Sequence, residues 1–200
     1  MKKDMLRLGL ALALFAAGAC VALALVYAVT GPTIAGLEEK NLQASLKDLF
    51  PDADSFDPIA DGVVSEDPGI LVKASWRIVK GGETVGIAIK AVGKSYGGDA
   101  GMLIGVGPDG CIAGVRILNL NDTPGLGANA VSPTYFVDKT SKTTFPGQFA
   151  GKAVTDAFEV KADVDVITAS TITSRALATI VKNVGRAGSR WLESGQGGGK

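Results

Sequence analysis

The chain has 200 residues, 46% of them hydrophobic, and its 20 basic and 20 acidic residues cancel. That balance leaves no basic face for nucleic acid. With no His and only two Cys, the sequence excludes a Ser-His-Asp triad, a His-ligated zinc, c-type haem attachment and a Cys-ligated iron–sulfur cluster. Any redox chemistry has to come from an organic cofactor.

The mean hydropathy of +0.27 is high for a soluble protein, and the excess sits at the start. Residues 1–7 carry Lys2, Lys3 and Arg7; Leu8 to Val29 then run without a charge. As a helix this stretch is ~33 Å long, enough to cross a ~30 Å hydrocarbon core. It reads as one transmembrane helix over 8–29. The basic flank puts the N-terminus in the cytoplasm and the remainder outside. The competing reading is a cleaved signal, since AAGAC at 16–20 hints at a lipoprotein site. Ala17 replaces the usual bulky residue there, and the apolar run continues past Cys20, too long for a signal core.

Residues 30–193 then read as one extracytoplasmic domain. Leu42, Leu46, Leu49 and Phe50 share one face of a helix over 34–50, which Pro51 ends. Strand-like runs follow at 70–79, 84–94, 102–107 and 111–120; KGGE links the first pair and PDG the last. Links this short require antiparallel pairing. Residues 121–150 read as loops with short elements, and AFEVK (157–161) and DVIT (165–168) as short strands. A final helix carries Ala176, Leu177, Ile180, Val181, Val184 and Trp191 on one stripe and ends near Leu192. Trp76 and Trp191 read as core residues and Cys111 as a strand residue. The tail 194–200 reads as flexible. The fold class is α+β, an antiparallel sheet flanked by helices.

The start of the last helix is unusual. Thr168, Ser170, Thr171, Thr173 and Ser174 crowd into seven positions. A hydroxyl there can cap a helix, but five exceed what a cap needs. A helix N-terminus also attracts phosphate, so the alternatives are a plain cap or an anion site built without Lys or Arg. Thr173 extends the apolar stripe and should face the domain or a pocket, while Thr171 lies roughly 200° around the helix, reckoned at 3.6 residues per turn.

The stretch Asp165-Val-Ile-Thr-Ala-Ser-Thr-Ile-Thr-Ser174 resembles the flavinylation motif of the FMN-binding domain family, D-x-x-[ST]-G-A-[ST]-x-T-[ST], whose last Thr carries FMN by a phosphoester bond. The acceptor position falls on Thr173. Ala169 replaces a usual Gly and Ser170 a usual Ala; if the Gly serves a positive φ, Ala169 costs something. A second segment, Asp122-Thr-Pro-Gly-Leu-Gly127, resembles the E-T-P-G-L-G loop of the RnfG and NqrC members, with Asp122 where Glu is usual. The resemblance spans nearly the whole chain, and its length favours the RnfG branch.

That resemblance implies a membrane-anchored flavoprotein of an ion-translocating ferredoxin:NAD oxidoreductase complex of the Rnf type. The chain would relay electrons through covalent FMN on Thr173 and turn over no substrate alone. It further implies Ser170, Thr171, Ser174, Thr123, Gly125, Leu126 and Gly127 as flavin neighbours, no metal, the other Rnf subunits as partners, and a separate FAD-dependent flavin transferase. The alternatives are an NqrC-like subunit of a Na+-translocating NADH:quinone oxidoreductase and an anchored module that binds a phosphate-bearing ligand reversibly.

Overall fold

The structure, a computed structural model, describes residues 2–60 and 63–195; the expected tail lies outside the described residues from 196 onward. The chain divides at Gln43/Ala44 into two compact units, each taken by itself.

The first unit is helical throughout. In place of two helices with a break at 30–33, a single helix α1 runs Lys2–Leu49, straight through Pro32. Pro32 has no N–H and forfeits one backbone bond. The flanking Ala, Leu and Glu residues are strong helix formers and carry the helix on either side. Its apolar side chains face outward, Leu8 72% and Phe15 80% exposed. The helix is long and apolar enough to cross a membrane, and its most apolar window has nothing from this chain packed over it.

The second unit is built on a five-stranded sheet in the order β1-β2-β3-β4-β5, all neighbours antiparallel. The four expected strands are β2 (Leu71–Lys80), β3 (Glu83–Lys94), β4 (Asp99–Val106) and β5 (Ile112–Leu120). An edge strand β1 (Ser55–Pro58) was not expected. It is short and ends in Pro, which only an edge tolerates. A small hairpin, β6 (Phe136–Asp138) with β7 (Thr143–Thr144), follows.

The two faces of the sheet differ. Ile87, Ile89 and Ala91 of β3 and Met102, Ile104 and Val106 of β4 are fully buried in the main core with helix α2 (Thr171–Glu193). Helix and sheet approach closely at Gly188, where an added Cβ would lie 3.0 Å from both Ile89 and Val106 side chains. Leu177, Ala178, Ile180, Val181, Val184 and Trp191 supply the helix side. The opposite face is shallow. Gly86, Gly105 and Gly114 leave a trough that receives the Phe50 ring and Leu49, and a Cβ at Gly105 would fall 2.8 Å from Phe50. Helix α2 ends with Ser194 N–H on the Arg190 carbonyl and Gly195 at φ +73°, a left-handed stop.

Neither AFEVK nor DVIT is a strand. A lone bridge joins Val160 and Val164, and side chains hold the rest. Asp163 accepts from the N–H groups of Glu159 (2.6 Å) and Phe158 (3.0 Å) and from Lys152 Nζ (3.4 Å). Gln148 clamps Asp165, accepting from its N–H and donating to its carbonyl. Tyr135 Oη accepts from the Thr168 N–H at 3.0 Å. These bonds satisfy the backbone that a ladder would otherwise satisfy, while Val164 and Ile167 are buried beneath.

Burial works to raise the Asp163 carboxyl, but the two N–H donors and the Lys152 ammonium prevail and hold it below its usual range. A lowered folded-state value contributes stability above the unfolded value, ~3.9 for Asp, which is lost as pH falls through the folded value. Asp163→Asn should therefore cost about 1–3 kcal/mol near neutral pH, and its gap to the parent should close below about pH 4. Urea melts of both full chains at the two pH values check this; a gap that does not change with pH contradicts it.

Candidate functional site

Three segments converge at the N-terminus of α2: the β3–β4 turn, the loop after β5, and residues 169–173. Together Tyr96, Thr123, Leu126, Gly127, Ala169, Ser170, Thr171, Ile172 and Thr173 line a cleft of about 410 Å³, within the range of small-ligand sites. A larger open hollow of about 530 Å³, between Gly82 and Glu193, contains none of these residues.

The junction is the Asp122 carboxylate, 6% exposed. Its Oδ1 accepts from the Gly97 N–H at 2.7 Å, and its Oδ2 from Ser95 Oγ at 2.9 Å. The Thr173 hydroxyl, 2% exposed, donates to the same Oδ2. Two glycines make the approach possible. A Cβ at Gly97 would lie 2.2 Å from the Asn121 carbonyl, and one at Gly127 only 2.5 Å from Asp122 Oδ2 and 2.6 Å from Thr173 Oγ1.

The hydroxyl cluster is not a helix cap. Ser170 occupies the N-cap position, yet its side chain bonds no backbone N–H, and the first turn carries no acidic residue. The free N–H groups of the first turn remain available to an anion beside the hydroxyls of Thr171 and Thr173. Ser174 is the exception. It is fully buried, donates to the Ser170 carbonyl and accepts from the Ile167 N–H, both at 3.0 Å. It braces the bend into α2 and does not line the cleft, so the expectation that it neighbours the ligand gives way to a structural role.

Of the other expected residues, Ser170, Thr171, Thr123, Leu126 and Gly127 line the cleft with Thr173. Gly125 lies outside it. At φ +78° it forms the turn, and its carbonyl accepts from Asn129 Nδ2. Three participants had not been singled out. Tyr96 is 66% exposed at the cleft, and Ser95 and Gly97 hold Asp122. Their partner lies 25 to 27 positions away, so only the folded meander brings them together.

Residues 95–185 match the FMN-binding domain family, and residues 1–49 match the RnfG N-terminal region. The RnfG-type subunit of the proton-translocating ferredoxin:NAD(+) oxidoreductase complex of Clostridium ljungdahlii is 32% identical over 169 residues, covering 81% of this chain and 80% of that one. The chain belongs to the RnfG family of ion-translocating oxidoreductase subunits. Its counterpart in the Na(+)-translocating ferredoxin:NAD(+) oxidoreductase complex of Acetobacterium woodii is likewise 32% identical, over 88% of each chain. That of Cereibacter sphaeroides is 30% identical over 84% of this chain and 77% of its own. The crystal structure of Shewanella oneidensis NqrC aligns with 72% of this chain and 73% of its own at 15% identity and a TM-score of 0.46. The cleft therefore belongs to an FMN-binding domain, on a membrane-anchored chain.

Ala169, where the family motif has Gly, sits at φ +60°. The left-handed region costs an L-residue about 1–2 kcal/mol, against about 0.4–1 kcal/mol for the extra unfolded-state freedom of Gly. Ala169→Gly should raise stability by up to about 1 kcal/mol, and the β-branched Ala169→Val should lower it. Thermal melts of the full chain in detergent check both signs, and a destabilised Ala169→Gly contradicts the strain.

Proposed function

We propose that this chain carries FMN on Thr173 through a phosphoester bond and relays electrons within an Rnf-type ferredoxin:NAD oxidoreductase complex. The observation that carries the reading concerns Thr173 alone. Among the hydroxyls at the start of α2 it is the one that lines the cleft, is buried on a carboxylate and stands at the acceptor position of the family motif.

The residues present suit such a group. Hydroxyls of Thr123, Ser170 and Thr171 and the first-turn N–H groups of α2 can donate to a phosphate. Tyr96, Leu126 and Ile172 offer apolar surface where a flat ring system could lie. When bound, the flavin supplies the electron chemistry. The protein's share is to hold it in place, orient it and set its surroundings. A covalent tether suits a domain outside the cytoplasm, where lost FMN is not replaced from a local pool. Lys2, Lys3 and Arg7 before the apolar span favour that orientation, with the N-terminus in the cytoplasm.

An aliphatic hydroxyl is a weak nucleophile, and the partners in this reading are an FAD-dependent flavin transferase and the other subunits of the complex. Co-expressed with the transferase, the full chain should give a fluorescent band on a denaturing gel, and Thr173→Ala should give none. A fluorescent Thr173→Ala band sinks the assignment. A dark parent band with ligand released on unfolding would favour reversible binding of a phosphate-bearing ligand.

A further inference from the structure

We infer that Asp122 is the general base that activates Thr173 for flavin attachment and that it keeps the proton afterwards. The inference rests on the reading of Thr173 as the attachment site and adds the residue that makes its hydroxyl reactive. Thr173 Oγ1 already donates its hydrogen bond to Asp122 Oδ2, so the proton lies on the path it would take. Ser95 Oγ and the Gly97 N–H hold both carboxylate oxygens from the other side. Gly127 leaves no Cβ between the two groups, since one would fall 2.6 Å from Thr173 Oγ1. The carboxylate is thus fixed on three sides and presents one oxygen to one hydroxyl, the geometry that general-base catalysis needs. Among the described residues no ion pair engages Asp122.

The step balances as follows. A flavin dinucleotide presented by the transferase is the co-reactant. The Thr173 Oγ–P bond forms as the P–O bond of the pyrophosphate breaks, and the nucleoside monophosphate leaves with the bonding electron pair. The Thr173 proton passes to Asp122 Oδ2. No electrons are exchanged with an oxidant or reductant.

Charge explains why the proton stays. Before attachment the pocket holds one negative charge, the carboxylate. Afterwards it holds one on the new phosphodiester. A second, on an ionised Asp122 beside it and nearly excluded from water, would be opposed by like-charge repulsion. A protonated Asp122 can instead donate a hydrogen bond to a phosphate oxygen.

The test uses the full chain in detergent with purified transferase, FAD and Mg2+, following the initial rate of fluorescent band formation. Asp122→Asn keeps the size and accepting oxygen but cannot take a proton. Its rate should fall on the order of 10²-fold or more, while circular dichroism and gel filtration match the parent. Attachment at the parent rate overturns the proposal. A second readout needs no variant. In 13C-aspartate-labelled parent chain, the Asp122 carboxyl carbon, assigned through the Gly97 amide, should read ionised before loading and protonated after it at neutral pH. An ionised Asp122 in the loaded chain overturns the retained proton even if Asp122→Asn does not fold. Thr173→Ala run in parallel separates the two failures. Label on that variant defeats the attachment site itself, whereas a dark Thr173→Ala beside a fully active Asp122→Asn defeats only the base.

Discussion

One buried carboxylate ties the functional end of this domain together. Asp122 is bonded at once to the β3–β4 turn, through Ser95 and Gly97, and to the first turn of α2, through Thr173. Its own loop continues into Gly127, which packs directly on it. An acidic side chain that is 6% exposed is tolerable only when such donors replace the water it has lost. The same bonds that stabilise it fix the relative positions of three segments distant in sequence. The cleft exists because those segments meet there.

Much of this was legible beforehand, for identifiable reasons. The central meander announced itself through apolar runs joined by links too short for anything but antiparallel pairing. Helix α2 announced itself through a stripe at helical spacing, and Thr173 was placed on the buried side by the same count. What stayed hidden depended on partners far along the chain. DVIT has the composition of a strand, but Gln148 and Tyr135 satisfy its backbone from the side. The helix break expected near Pro32 did not occur, because a single Pro removes one hydrogen bond from a helix that is otherwise well supported. Asp122 was noticed as a variation on the family loop, while its role as the acceptor for Thr173 required the fold.

The hydroxyl-rich stretch shows how composition can mislead within a correct reading. Five Ser and Thr residues at a helix start suggest one shared purpose, and they divide the work. Ser174 braces the bend from within, the Thr168 backbone is pinned by Tyr135, Ser170 takes the N-cap position without capping, and Thr171 and Thr173 face the cleft. Ala169 turns the chain with a left-handed φ, a conformation better suited to the Gly that the family motif carries there. The departure from the motif is thus a local conformational cost, and it leaves the acceptor hydroxyl where it was.

The central claim is that one hydroxyl of this cluster, on Thr173, carries the flavin. Trypsin cuts after Lys161 and Arg175, isolating the whole cluster in a single peptide. Tandem mass spectrometry of that peptide, taken from chain loaded by the transferase, tests the claim most directly. The account predicts the mass of one FMN less one water, with fragment ions placing it on Thr173 alone. An unmodified peptide, or the added mass on Thr168, Ser170, Thr171 or Ser174, would contradict it.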